Sequence, residues 1–231
     1  MEISSSMTYN VDIVLCIDAT WSMIKLMPKV KQNAISFYED IRNKMEEKGK
    51  RLNNLRVRCI AFRDYGEDGD RGMMATDFYS LPEKSEEFSA LVNSIEAKGG
   101  GDIPEDAFEA LSCAIRSDWT KEGSKKRHVI ALWTDAPAHP LGFSASKYPA
   151  YSAMNFPGDL DELTELWDSM DLLSKRMVIY GPKIGVEANS VYWGQVEQCG
   201  WDNLICYNSQ AGNGLSEIEY NAILQSIVNS I

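Results

Sequence analysis

The sequence predicts a three-layer α/β sandwich, with a mostly parallel central sheet, one antiparallel edge strand and helices on both faces. Three observations predict it. Strand-like and helix-like runs alternate along almost the whole chain, which is the order of a mainly parallel sheet with crossover helices. Two strand-like runs are almost continuously apolar, as strands buried on both faces are. The helical runs carry their apolar residues at steps of three and four, the signature of one packed face. At 231 residues the chain suits one large core better than two small ones. Residues 1–10 are expected to form a flexible N-terminal lead, and 11–231 a single domain.

Residues 11–17 are apolar apart from Asp12 and read as the first, buried strand. Pro28 then stands in the first turn of a helix that continues through Val30, Ala34, Phe37, Ile41 and Met45 and ends at Gly49. Residues 55–62 alternate Leu55, Val57, Cys59 and Ala61 with Arg56 and Arg58, a half-exposed strand. Residues 73–81 read as a short edge strand and 83–97 as a helix. The second half repeats the order: helix 104–117, buried strand 128–134, helix 159–173, strand 177–180, helix 186–199, strand 204–207 and a closing helix 215–231. Two connections are long, the Gly- and acid-rich 64–71 and the aromatic 136–158, which carries Phe143, Tyr148, Tyr151 and Phe156. Long connections in compact domains are usually functional.

Composition narrows the function. A net charge of −11 argues against non-specific binding to nucleic acid, which needs a basic surface. No basic-then-apolar start reads as a signal peptide, and no uncharged apolar run approaches the roughly 18 residues of a membrane span. Five scattered cysteines without a C-x-x-C pair, and two histidines, make a Cys/His zinc site a poor fit. The expectation is a cytoplasmic protein with neither nucleic-acid nor membrane partner.

The chemistry gathers after the first strand. In Asp18-Ala19-Thr20-Trp21-Ser22-Met23, an acid and two hydroxyls occupy alternate positions of a turn and can aim three oxygens at one point. Hard cations such as Mg²⁺ take oxygen ligands in octahedral geometry. The competing reading is helix capping, which Pro28 disfavours by starting the helix several residues later. Asp135 follows the strand 128–134, and in a parallel sheet it emerges at the same edge as Asp18, where such sheets bind ligands. A third loop, Gly99-Gly100-Gly101-Asp102-Ile103-Pro104-Glu105-Asp106, opens a helix between them.

These blocks resemble the von Willebrand factor type A family in its intracellular, stand-alone form. The resemblance is carried by Asp18-x-Thr20-x-Ser22-Met23, Phe62-Arg63-Asp64-Tyr65, the Gly-Gly-Gly-Asp-x-Pro-Glu run at 99–105 and Thr134-Asp135-Ala136-Pro137, in that order. It implies a Rossmann-like sandwich and a metal-ion-dependent adhesion site holding Mg²⁺ (or Mn²⁺ or Ca²⁺) with Asp18, Thr20, Ser22, Asp102 and Asp135. Position 21, often glycine in the family, is Trp21 here; it either flanks the ion as an apolar contact or folds onto a neighbouring loop. The Gly-rich loop lacks the threonine that many members use, leaving Asp102 either as a direct or water-mediated ligand or as the first residue of a capping box with Glu105.

Trp21, Asp64, Gly101 and His139 are expected to surround the ligands or meet a partner. Asp64 is equally compatible with simple solvation on an open loop, and His139 is expected to have no catalytic role. The implied function is a non-enzymatic module whose ion accepts an Asp or Glu side chain from a partner protein, in signalling or complex assembly. Two alternatives stand beside it. One is a haloacid-dehalogenase-like phosphohydrolase, disfavoured because Thr20 stands where that chemistry needs a second acid. The other is a scaffold with a degenerate site.

Overall fold

A computed structural model describes residues 8–209 except 124, together with 224, 225, 228 and 229. Among these residues seven strands, β1 (Thr8–Asp18), β2 (Arg51–Phe62), β3 (Met73–Ala75), β4 (Tyr79–Leu81), β5 (Lys126–Trp133), β6 (Lys175–Pro182) and β7 (Leu204–Ser209), form one sheet. Its order is β3-β2-β1-β5-β6-β7, with β4 also paired to β2. The β1–β2, β1–β5, β5–β6 and β6–β7 pairs are parallel, and β3 and β4 are antiparallel to β2. The anticipated α/β sandwich is therefore the one observed. β1 begins at Thr8, inside the stretch expected to be a flexible lead.

The single expected edge strand is two short ones. At Thr76 the backbone N–H donates to Cys59 O (3.0 Å), while the Thr76 hydroxyl accepts from Cys59 N–H (3.1 Å). A side chain thus takes a place in the ladder, and β3 and β4 stop on either side of it. Interruptions of this kind also blunt an exposed edge.

Among the described residues six helices have bounds, α1 (Met27–Glu47), α2 (Tyr65–Asp68), α3 (Ser85–Ser94), α4 (Ala107–Ile115), α5 (Leu160–Asp168) and α6 (Trp193–Gln198), and 224, 225, 228 and 229 are helical as well. Strand alternation divides the core in two. Val11, Ile13, Leu15 and Ile17 of β1 pack with α1 and α3, joined by Leu224 and Val228, while Val14 and Cys16 face α4, α5 and α6. The stripe foreseen on α1, Val30, Ala34, Phe37, Ile41 and Met45, is buried as a unit. Each of these side chains larger than Ala34 contributes about 1.5–3 kcal/mol of hydrophobic stabilisation. Asp12, the polar break in β1, is buried and held by two hydrogen bonds from Arg56 (2.8 and 2.6 Å) and one from Thr120 N–H (2.6 Å).

Four helices are shorter than periodicity implies: α3 and α5, expected over 83–97 and 159–173, end early, and α4 and α6 also start late. Residues 104–106 are not helical, because Glu105 bridges to Ala138 and exchanges backbone hydrogen bonds with Pro137 and His139. The capping box from Asp102 to Glu105 therefore does not form; α4 starts at Ala107 with Asp106 at its N-cap. Residues 186–192 are not helical because Val191 pairs antiparallel with Ala138, and Asn189 adopts φ 55°. The closing helix 215–231 lies largely outside the described residues. Among those described, no helix is long and apolar enough to cross a membrane.

Candidate metal centre

Register brings the first and fourth expected blocks together. β1 and β5 pair from Asn10↔Lys126 to Ile17↔Trp133, so Asp18 and Thr134 leave the sheet side by side. Asp18 is fully buried. Its Oδ1 accepts from the Thr20 N–H (2.9 Å) and hydroxyl (2.6 Å), and its Oδ2 from the Thr134 hydroxyl (2.6 Å). Ser22 Oγ donates to Asp135 Oδ1 (2.8 Å) and lies 3.1 Å from Thr20 Oγ1. Thr20 occupies the N-cap position of the 3-10 turn Trp21–Lys25 without a side-chain cap hydrogen bond, which removes the capping reading of this motif.

The result is a row of three oxygens, Thr20 Oγ1, Ser22 Oγ and Asp135 Oδ1. Both hydroxyl hydrogens point to carboxylates, so the hydroxyl lone pairs stay available. Neighbouring ligands of an octahedral Mg²⁺ at about 2.1 Å are about 3 Å apart; the observed spacings of 3.1 and 2.8 Å match that edge. Burial and then repulsion from Asp135 push the Asp18 carboxyl up to about 6, against its hydrogen bonds from Thr134 and Thr20. Burial likewise raises Asp135, against its bond from Ser22. Two acids kept up in this way are a site short of positive charge.

The row opens into a cleft of about 280 Å³, whose other walls are Gly99, Gly100, Gly101, Asp102, Ile103, Glu105 and Trp21. Trp21 is 64% exposed, so it flanks the cleft and is not folded onto a neighbouring loop. Gly99 has φ 75°, and a Cβ on it would fall 2.1 Å from Asp68 Oδ1; Asp68 in turn accepts from Gly100 N–H (2.8 Å). Close approach to α2 thus explains the glycine run. Gly101 packs in the same way against Glu67.

Glu105 is the unforeseen wall. It is buried, its Oε2 has no hydrogen-bond partner, and its Oε1 would lie 3.0 Å from a Cβ on Gly100. Burial, followed by repulsion from Asp18, Asp64, Asp106 and Asp102, pushes its carboxyl up to about 11. An orphaned carboxyl oxygen, a hydroxyl row and a cradle that admits only glycine together fit a divalent cation.

Asp64 and His139 lie together inside the protein. Asp64 is fully buried, not solvated on an open loop, because Arg63 is itself buried and ties the turn down through Ala19 O (3.0 Å), Arg71 O (3.0 Å) and Glu96 O (2.7 Å). His139 is buried and stacked on Phe143, with ring centroids 4.0 Å apart. Its Nε2 lies 3.2 Å from Asp102 Oδ1 and 3.4 Å from Asp64 Oδ2. Asp102 therefore turns to His139 and serves no cap.

Asp106 completes this second group. The Ser144 hydroxyl stands between Asp64 Oδ1 (3.0 Å) and both Asp106 oxygens (3.1 and 2.9 Å). Asp64 Oδ1 also accepts from Gly66 N–H (2.6 Å), and Asp106 Oδ2 from Tyr65 N–H (2.8 Å). Burial pushes Asp64 up, but the His139 ring, the Gly66 amide and Ser144 outweigh it and hold the carboxyl below its ordinary value. Burial raises Asp106, and the charge of Asp64 adds to the effect. Nearby, buried Glu109 accepts from the Tyr151 hydroxyl, inside an aromatic group of Tyr65, Tyr148, Tyr151 and Phe156. The loop 136–158 is thus a packed cover over these acids.

Thr134, Glu105, Asp106 and Ser144 were not anticipated as site residues. Glu105 and Asp106 had a signal, since two acids immediately before an apolar helix face are placed to be buried. Ser144 had none.

No model of a protein family and no curated protein matches the chain. Among solved structures it is similar to the pilus adhesin SpaC from Lactobacillus rhamnosus GG, with TM-score 0.55 and 13% identity over 95% of this chain and 30% of that one. It is also similar to the vWF domain of the type V pili tip protein Mfa5 from Porphyromonas gingivalis, with TM-score 0.38 and 20% identity over 58% of this chain and 41% of that one. The chain spans less than half the length of either. The likeness to SpaC shows the fold: a mainly parallel sheet between two layers of helices.

Proposed function

We propose that the chain is a von Willebrand factor A-type module that binds a partner protein through a divalent ion, Mg²⁺ first, with Mn²⁺ and Ca²⁺ as alternatives. The observation that carries this reading is the oxygen row, spaced at 3.1 and 2.8 Å with its hydroxyl hydrogens donated to the Asp18 and Asp135 carboxylates. Thr20, Ser22 and Asp135 would hold the ion directly. Asp18 would act through them, by accepting the Thr20 hydroxyl and amide. When bound, the ion supplies a Lewis-acidic position that can take a carboxylate oxygen from the partner.

The chain's own groups fit an acidic guest. Asp18 and Asp135 carry the charge that retains the ion, while Thr20 and Ser22 add ligand oxygens without adding charge. Trp21 and Ile103, 64% and 52% exposed, flank the cleft and offer apolar contact to the residues beside the guest carboxylate. Exposed aromatic and apolar anchors around a polar centre are what an interface core uses. Binding is favoured over turnover because Thr20, where a phosphohydrolase needs its second acid, is bonded to Asp18 and has no proton-transfer role.

Calorimetric Mg²⁺ titration of wild type and Asp18→Ala, paired with affinity capture with and without EDTA, tests the reading. The expected result is Mg²⁺ heat in wild type, at least about 10–100-fold weaker binding in the variant, and partners lost with EDTA. Identical partner lists for both proteins would sink it. Turnover of a phosphate ester that disappears in Asp18→Ala would replace it with the hydrolase.

A further inference from the structure

The group Asp64, Asp106 and His139 lies outside the oxygen row. All three side chains are buried to 1% exposure or less. One ligand atom from each lies within 4.8 Å of the others. Ligands of a tetrahedral ion at about 2.0–2.1 Å are about 3.3 Å apart, a spacing that Asp64 Oδ2 and His139 Nε2 meet at 3.4 Å, so the Asp106 oxygen has to close by no more than about 1.5 Å.

Acids alone would not make a site, but Asp64 Oδ2 is a second observation. It has no hydrogen-bond partner, and it faces His139 Nε2 at 3.4 Å, beyond a well-formed hydrogen bond. The same nitrogen meets Asp102 Oδ1 at 3.2 Å. Two carboxylate oxygens from different loops thus converge on one nitrogen, and a single proton there can serve only one of them. Ser144 has one hydroxyl proton for three carboxylate oxygens; Asp64 Oδ1 and Asp106 Oδ2 also accept from the Gly66 and Tyr65 amides, and Asp106 Oδ1 has Ser144 alone. Among the described residues the only ion pairs of Asp64 and Asp102 are with His139. The neighbouring guanidinium of Arg63 points to carbonyls instead.

The geometry points to a second cation site, built from Asp64 Oδ2, an Asp106 oxygen and His139 Nε2, that takes a transition ion of the Zn²⁺ or Mn²⁺ class. A dication satisfies both oxygens that a proton cannot, and it offsets the charge of Asp106 as well. An imidazole ligand selects such ions over Mg²⁺, which prefers oxygen and retained water. Asp102, 43% exposed and lining the cleft, marks the way in and can add a fourth ligand. Phe143 stacked on the imidazole and Ser144 between the carboxylates hold the ligands in place. This inference does not rest on the Mg²⁺ reading of the oxygen row.

The test uses the full chain, stripped of metal, labelled with ¹⁵N-histidine and titrated with Zn²⁺ in saturating Mg²⁺. The chain has only two histidines, so the His139 imidazole is assigned with His128→Gln. One equivalent of Zn²⁺ should move the His139 resonance and leave His128 in place. His139→Gln and Asp64→Asn should each weaken Zn²⁺ more than about 100-fold, since even ligand-supporting groups cost about 10–100-fold. Both should leave Mg²⁺ affinity within about twofold, whereas Asp18→Ala should lose Mg²⁺ and keep the Zn²⁺ equivalent. If both imidazole resonances stay fixed through Zn²⁺ and Mn²⁺ titration of wild type, the site is overturned, and that outcome needs neither assignment nor a folded variant. Zn²⁺ affinity unchanged in both His139→Gln and Asp64→Asn overturns it equally.

Discussion

The oxygen row and the buried Asp64–Asp106–His139 group lie on adjacent loops of the same sheet edge, yet they manage negative charge differently. The row mixes two acids with two hydroxyls and opens to a cleft. Its hydroxyls neutralise nothing, but they satisfy the carboxylates by hydrogen bonding while keeping lone pairs free. The second group is sealed under the loop 136–158 and has one imidazole and one hydroxyl for two buried acids. Glu105 touches the first region and is repelled by acids of both. On the proposed reading of both groups as cation sites, exposure sets the ligand type. Where water and a partner can complete the shell, neutral oxygens suffice; where they cannot, a nitrogen donor and close packing must fix the geometry.

Glu105→Gln probes the shared boundary and has the largest expected effect. With its carboxyl raised to about 11, the folded chain at pH 7 holds a proton that the unfolded chain has released. Removing that uptake should stabilise the metal-free protein by as much as about 3 kcal/mol at pH 7 and by little near pH 4. Denaturant unfolding in EDTA at both pH values measures it; destabilisation at pH 7 would mean that an ionised Glu105 supports the fold.

Asp18 distinguishes the regions by pH. Its folded value of about 6 lies above that of the unfolded chain, so the folded state keeps the proton longer. Stability of the metal-free chain should therefore fall as pH rises from about 4 to 6, by roughly 2–3 kcal/mol from this group. Asp64, held low, acts with the opposite sign at lower pH. Asp18→Asn should flatten the fall, and Mg²⁺ at about 100 times its dissociation constant should restore about 2.7 kcal/mol. Melting curves across the pH series read both effects.

Ser144→Ala removes the hydroxyl between Asp64 and Asp106. Leaving those oxygens without their shared donor should cost about 1–2 kcal/mol in the metal-free protein, with Mg²⁺ affinity unchanged. Thermal unfolding and calorimetry on the same sample separate the two regions. Trp21→Ala sits at the small end: stability should move by no more than about 0.5 kcal/mol, because the indole is largely exposed. Partner capture should nevertheless weaken, and unchanged capture would remove Trp21 from the interface.

Much of this was legible from residue order. Alternation at period two and steps of three and four named the strands and the buried face of α1, because each pattern is local and burial follows it directly. The Asp18–Thr20–Ser22 turn was legible for the same reason, and the parallel order placed Asp135 beside it. Helix limits near Glu105 and Val191 were not. Both are cut short by backbone pairing with Ala138, a partner that no local pattern names. Asp64 was open between burial and solvation because its burial depends on Arg63 reaching carbonyls as far along the chain as Glu96.

Sequence alone determined the α/β architecture and the chemistry of one turn, since both follow from periodicities and spacings of a few residues. Tertiary structure alone decided which acids meet. Asp102 faces His139 and not a helix end, Glu105 is walled in with its Oε2 unpartnered, and Ser144 stands between Asp64 and Asp106. Those meetings join loops some 40 to 80 residues apart. Their energies come from burial and from scarce donors, which exist only once the loops have closed over them.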